Sequence, residues 1–545
     1  MVCGNCGRVV KDGAKFCDYC GATVNAATAG AEQSGEQILG GAKRRGKGLV
    51  VGLGVAGVAV VAAGAILLVS LLGGAKGKVL KAAAKSAGEH AAVMDTFGVS
   101  TLREILEKQA YTQKIGLELE KLSVDDYSGN DYSIMKGLGA DLVLASDLPG
   151  HKIGVNGMLR WGSVDLVEAY VTMEEGKIVA FCPELMDDTA LGIDTETIGK
   201  DISEADWFED FTGEDLDELE DLSFNIFDLI DITREVTPMD TAAQKELVNA
   251  IEVEKEGSDE VEVNGEDIKC AIYSVVIPED ALLDYLDALQ EYVEESTKAD
   301  EMADYLDSLD LDIDTDDFAD EMESSYDEVF STLEEAVKEL GDLEFEVAVK
   351  GGLVMAVNGE LEIDGETMEY SLQLGGGKEY VNDISLTMEV DGSAVVIESS
   401  GDHALKGGVY TDTTTIKADG EKLITLETEY DTKAKDDNFS FVMFNDEGRL
   451  TLEGTLAVSD GSFSMVFDEL SFFDDYNEGI SVSGEYTVKA YEKIKIPAEE
   501  TFMLLTADEG DIEDLLEEIE DNAYDFGMYL GEECYELIEA IQYWS

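Results

Sequence analysis

The sequence predicts an α+β protein with three parts in order: a four-cysteine knot, one transmembrane helix, and a large antiparallel β-meander with packed helices. Three observations carry that expectation. Asp-Gly pairs recur at intervals of 27 and 28 residues through the second half of the chain, each interval holding two strand-length segments of alternating polarity. Apolar residues spaced three or four apart mark amphipathic helices before and after those segments. Residues 49–72 form a run of 24 without a charge. At 545 residues, with 45% hydrophobic and 8% aromatic content, the chain has a globular composition and room for two to four ordinary domains.

Residues 1–24 hold Cys3 and Cys6, then after ten intervening residues Cys17 and Cys20, giving C-x2-C-x10-C-x2-C. Each Cys-x-x-Cys pair can turn two thiolates toward one tetrahedral centre, and four thiolates make a closed structural site for Zn²⁺. Gly7 and Gly21 follow the second cysteine of each pair, where the chain must turn sharply. A redox dithiol or an iron–sulfur site also uses Cys-x-x-Cys, but the doubled, glycine-followed spacing favours a zinc ribbon. So short a segment has no useful core, and the metal supplies roughly 10 kcal/mol or more of its folding free energy. With four thiolates on the metal, no position is left open for catalysis.

Residues 25–48 read as a flexible linker with a basic end at Lys43, Arg44, Arg45 and Lys47. Residues 49–72 read as the transmembrane helix, since at about 1.5 Å per residue the run crosses a hydrocarbon core of roughly 30 Å. The basic flank predicts a single-pass protein of the cell membrane with a cytoplasmic amino terminus and an extracytoplasmic remainder, although Lys76, Lys78, Lys81 and Lys85 on the far side reduce the contrast. A reducing cytoplasm also suits zinc-binding thiolates.

The formal net charge is −84, unevenly placed. Of 37 Lys and Arg and 121 Asp and Glu, seven and four respectively fall in residues 1–48, so the remainder carries −87. Such a field repels nucleic acid and anionic head groups and attracts cations and basic partners. Its plainest role is a solvated, self-repelling surface. Cys182, Cys270 and Cys534 lie far apart, and the sequence leaves open one disulfide plus an odd thiol or three buried hydrophobes.

Residues 73–342 read as a mixed α/β region. Helices are expected at 79–90 and 102–109, followed by strands at 114–122, 138–146, 152–161, 164–173 and 177–182. Two helical stripes follow, Leu282, Leu286, Leu289 and Val293, then Phe318, Met322, Tyr326, Phe330, Leu333 and Val337. Residues 343–545 read as the meander, with Asp364-Gly365, Asp391-Gly392, Asp419-Gly420 and Asp446 before Gly448 as its turns. Phe463, Met465 and Phe467 alternate with Ser462, Ser464 and Asp468, so one face buries and the other meets water. A final amphipathic helix carrying Leu515, Ile519, Leu530, Cys534, Leu537, Ile538 and Ile541 is expected to pack on that sheet.

The repeated "CGNCG" and "CDYCG", the polar linker, the basic residues and the single apolar run resemble the zinc-ribbon, single-pass membrane proteins of Gram-positive bacteria, among them the teicoplanin-resistance-associated proteins. The resemblance covers residues 1–72. It implies zinc at Cys3, Cys6, Cys17 and Cys20 and an envelope-facing remainder. The meander with helices is similar, at the level of fold alone, to lipid-carrier sheets of the envelope.

Little in the chain points to catalysis. His90, His151 and His403 are scattered and show no ligand spacing, which disfavours a histidine-based hydrolase or zinc enzyme. Ser133 and Lys136 match S-x-x-K without its companion motifs, as chance allows. Asp312, Asp314, Asp316, Asp320 and Glu323 occupy calcium-hand positions 1, 3, 5, 9 and 12, but Asp317 replaces the required glycine, so an acidic helix start is favoured over weak Ca²⁺ binding. The expectation is a non-enzymatic envelope protein with a structural zinc ribbon and an acidic domain that binds an envelope protein or an apolar ligand. The alternatives are a carboxylate-based enzyme acting on cell wall or lipid, and a ribbon-based nucleic-acid regulator.

Overall fold

The computed structural model describes residues 74–124, 132–205, 207, 220, 222–234, 241–309, 315–363, 365–375, 382–403, 408–431, 437–459 and 461–544. Two helices come first, α1 (Gly74–Asp95) and α2 (Val99–Leu106). Six strands follow: β1 (Ala110–Ser123), β2 (Leu138–Asp147), β3 (Lys152–Trp161), β4 (Val164–Glu174), β5 (Lys177–Phe181) and β6 (Thr189–Asp194). The short helix α3 (Pro183–Met186) interrupts β5 and β6, and α4 (Ile198–Ser203), α5 (Ile226–Arg234) and α6 (Thr241–Ala250) come next. The hairpin β7 (Glu252–Val263) and β8 (Glu266–Ile277) leads into α7 (Glu279–Thr297), α8 (Ala299–Asp307) and α9 (Thr315–Leu340).

The meander then runs through β9 (Leu343–Lys350), β10 (Leu353–Ile363), β11 (Glu366–Leu374), β12 (Asp383–Val390), β13 (Ser393–His403) and β14 (Val409–Ala418). It continues with β15 (Glu421–Asp431), β16 (Asp437–Phe444), β17 (Gly448–Ser459), β18 (Ser462–Asp474) and β19 (Gly479–Ala490). A short strand, β20 (Glu500–Met503), precedes α10 (Glu509–Glu533) and α11 (Tyr535–Trp544).

The turns at Asp391-Gly392 and Asp419-Gly420 are where the spacing places them, while Asp364 of the first expected turn lies outside the described residues. Asp391 and Gly392 have φ of 51° and 79°, and Asp419 and Gly420 have 51° and 85°. Left-handed backbone at both central residues is the twist that a two-residue hairpin demands. Val390 therefore pairs with Ser393, and Ala418 with Glu421.

All twenty strands belong to one sheet. Strands β7 to β19 pair antiparallel in chain order; β19 then pairs β1, which continues through β2 to β6. The seam between β19 and β1 runs from Tyr111↔Ala490 to Ser123↔Gly479. One edge is β20, only four residues long and parallel to β6. The other is β7, which carries seven charged residues and a register shift at Lys255/Gly257, two devices that discourage pairing with another chain.

The helices cover one face. In β9, Leu343, Phe345, Val347 and Val349 point toward α1, α6, α7 and α9, packing with Val79, Leu247, Leu282, Leu286 and Val337. Ala348 points the other way, with Cys270, Met355 and Ala356. Ser86 of α1 accepts a hydrogen bond from the Val354 N–H at 3.0 Å, a buried polar tie between that helix and β10. A second core gathers Phe97, Leu102 and Ile105 over Tyr410, Tyr430, Phe439, Phe463 and Val488.

Several expectations are corrected. The α+β reading gives way to an architecture dominated by one twenty-stranded sheet, because the strands before residue 342 join the meander through β8–β9 and β19–β1. The last helix does not lie on the meander: it breaks at Cys534 into α10 and α11, and Asn522 Nδ2 donates to the Leu185 carbonyl at 3.2 Å, tying α10 to α3. The single-pass cell-membrane expectation is corrected to what the structure carries: no helix among the described residues is long and apolar enough to cross a membrane. These helices are amphipathic, with one face charged, and suit a sheet surface rather than hydrocarbon. Residues 1–73, which contain the apolar run at 49–72 and the four-cysteine segment, lie outside the described residues.

Candidate functional site

The predicted chemistry disperses in three dimensions. His151 sits at the β2–β3 turn with φ of 50°; its Nε2 lies 2.9 Å from Asp231 Oδ2, and its ring stacks on Phe227 at 5.1 Å. Phe227 is fully buried, so this contact anchors α5 to the turn. The Lys136 amine is 3.2 Å from Glu120, an ion pair that occupies the supposed activator of Ser133. Ser483 and then Lys136 hold the Glu120 carboxyl below its usual range.

His403 ends β13 and is 3% exposed. Its Nε2 lies 2.9 Å from Asp412 Oδ1, its ring stacks on Tyr410 at 4.7 Å, and its Nδ1 finds no hydrogen-bond partner among the described residues. Asp412, 8% exposed, also accepts from Ser399 Oγ at 2.6 Å and Thr414 Oγ1 at 2.7 Å. Burial works against its charged form, but the bonds from His403, Ser399 and Thr414 outweigh that and lower its pKa. Serine and histidine both address the carboxylate rather than each other, so this is not a nucleophile–base–orienter relay. Burial and then His403 lower the pKa of His90 on α1.

Cys182, Cys270 and Cys534 are free thiols, and burial raises the pKa of each. Cys270 and Cys534 are buried and Cys182 is half-buried beside Glu184, and a raised pKa disfavours the thiolate that a nucleophile needs. Asp312 and Asp314 lie outside the described residues, while residues 315–323 are helical within α9. Among the described residues no group of three or more His, Cys, Asp or Glu is arranged to hold a metal ion.

One concave surface feature is acidic and lies on the sheet face opposite the helices that pack on β9. Cross-strand register places Glu346, Asn358, Ser371 and Thr387 in one row, and Glu360, Glu369 and Glu389 in the next. Ser371 Oγ donates to Asn358 Oδ1 at 2.7 Å, giving the first row a fixed polar floor. These residues, with Gly359 and Tyr370, line a concavity of about 390 Å³. A second of about 300 Å³ shares Glu346 and Asn358 and adds Glu256 and Asp259. Among the described residues, no lysine or arginine lines either one. Like charges directly opposite each other across strands are destabilising, so the Glu360–Glu369–Glu389 row is an unfavourable arrangement that a cation would relieve. The signal was partly legible: pairing of Ile363 with Glu366 across the expected hairpin sets residue 360 opposite residue 369. Glu389 joins them only through the β11–β12 register, which no local motif specifies.

Cys3, Cys6, Cys17 and Cys20 lie outside the described residues, so the metal site rests on its donor set. Four cysteines in two Cys-x-x-Cys pairs fit one structural zinc ion. A zinc-ribbon domain model matches residues 2–24, which contain all four. That match supports the ribbon and zinc binding. No curated protein matches the chain.

Proposed function

We propose that this chain is a non-catalytic binding protein in which a structural zinc ribbon accompanies an acidic sheet face that receives a basic segment of another protein. The observation that carries the reading is the pair of rows on β9–β12, where exposed glutamates surround a polar floor and no lysine or arginine among the described residues lines it. A Lys/Arg-rich segment laid across the strands would pair with Glu346, Glu360, Glu369 and Glu389 while its backbone meets Asn358, Ser371 and Thr387. Nucleic acid is repelled by the same charges. The ribbon contributes a fold held by metal and no catalytic position.

The test is titration of the full chain with a Lys/Arg-rich peptide, followed by calorimetry at two salt concentrations. Glu360→Lys, Glu369→Lys and Glu389→Lys combined should weaken binding by about tenfold or more, an effect that shrinks at high salt. Reversing Glu321, Glu323 and Glu328, exposed on α9, should change it by less than about twofold. Equal losses from both sets would mean diffuse attraction and would overturn the reading.

A further inference from the structure

The helices α10 and α11 present a second surface that the other described residues leave exposed. Asp508 caps α10, its carboxylate accepting from the Asp511 N–H at 3.0 Å, and Glu509 and Asp511 suit the positive end of the helix dipole. One side of the helix is spent on the protein itself: Ile512 and Leu515 are buried, as are Cys534 and Leu537 beyond. On another side, Tyr524 and Met528 are four residues apart and Leu516 lies two turns earlier on the same line, with Glu520 between; the three apolar residues are 70%, 54% and 59% exposed. Tyr535, 60% exposed, opens α11. Single exposed apolar residues are ordinary, but a run along one helix marks an interaction site.

Gly527 and Gly531, one turn apart, belong to the same stripe. Glycine in a helix interior is costly relative to alanine. A Cβ at either position would meet nothing within 4 Å, so the fold itself does not require the missing side chains. Between Tyr524, Met528 and Tyr535 the two glycines leave a notch through which another backbone can approach closely. Along the same helix stand Glu513, Glu517, Glu520, Asp521 and Glu532. Residues 496–545 hold sixteen Asp and Glu and no Lys, Arg or His.

We propose that this face of α10 and α11 docks a basic amphipathic helix of a partner protein. The apolar side of that helix covers Leu516, Tyr524 and Met528 and presses into the glycine notch, and its Lys and Arg residues meet the acidic rim. Methionine and tyrosine supply adaptable, amphipathic contact area. A second copy of this chain is a poor occupant, since it would bring one all-acidic helix against another, and anionic lipid or nucleic acid meets the same repulsion. The surface is separate from the β9–β12 concavity, so the two proposals stand or fall apart.

The experiment uses the full chain and a fluorescent Lys/Leu amphipathic helical peptide, with binding read by anisotropy. Tyr524→Ser with Met528→Ser should weaken binding by about tenfold or more. Gly527→Ala with Gly531→Ala should raise the melting temperature, because alanine is the better helix former, yet weaken binding by filling the notch. Val329→Ser, at an exposed apolar residue of α9 outside both surfaces, should leave this peptide's affinity unchanged. The proposal is overturned if a scrambled peptide of equal charge binds as well, if the glycine variant binds undiminished, or if Val329→Ser weakens binding as much as the Tyr524 and Met528 changes do.

Discussion

Removing the Asp412 carboxylate should be among the most damaging single changes in the meander. Its two oxygens accept from His403, Ser399 and Thr414 at 2.9, 2.6 and 2.7 Å within a site almost closed to water. In Asp412→Ala the three donors are stranded, and the His403 ring, whose Nδ1 already lacks a partner among the described residues, is left with neither nitrogen satisfied. Removing one member of a buried, charge-assisted set costs about 3–5 kcal/mol. Asp412→Asn keeps the shape but exchanges an acceptor for a donor, and should cost about 1–3 kcal/mol. The assay is a double-mutant cycle with His403→Ala by denaturant unfolding, comparing midpoints and following amide exchange in β13 and β14. A coupling of about 0.5–3 kcal/mol is expected. Since the folded-state pKa of Asp412 is lowered, its contribution is complete above the ordinary aspartate range and is lost as pH falls through the depressed value. A loss below about 1 kcal/mol for Asp412→Ala, or a coupling near zero, would refute the account of this network as an interlocked unit.

Three further outcomes are expected. In the β19–β1 seam a Cβ at Gly484 would collide with the Gly116 carbonyl oxygen, so Gly484→Val should lower the unfolding midpoint sharply, whereas Gly157→Ala in β3, where a Cβ meets nothing within 4 Å, should not; equal effects would contradict the seam packing. The purified chain should contain one zinc per molecule by elemental analysis, and Cys3→Ser with Cys17→Ser should remove it while leaving the far-ultraviolet signature of the sheet in place. His90, whose pKa is lowered in the folded state, disfavours folding once the unfolded histidine takes up its proton. Stability should therefore fall as pH drops below about 6.5, and His90→Gln should flatten that limb of the unfolding-midpoint profile.

Much of the secondary structure was legible because its causes are local. The turn at Asp391-Gly392 needs two left-handed residues, and the Asp-Gly pair supplies them wherever it occurs; the period of two between such turns fixes which side chains share a face. The strand expected at 152–161 coincides with β3, and those at 138–146 and 177–182 differ from β2 and β5 by one residue. The zinc ligand set belongs to the same class, since four cysteines at fixed short spacing carry their chemistry wherever the chain places them.

What the sequence by itself determined is thus the ribbon, the hairpins, the amphipathic stripes and the sign of the surface charge. Only the tertiary structure decided that β19 returns to pair β1, that Glu389 completes a glutamate row begun across one hairpin, and that His403, Asp412 and Tyr410 form a buried network under α1 and α2. It also decided that α10 leans on α3 and keeps the stripe through Tyr524 and Met528 in solvent. The reason is physical: turn and helix preferences act over a few residues, whereas strand order and the choice of buried face depend on which distant edges and surfaces cover each other best. No short-range preference encodes those choices.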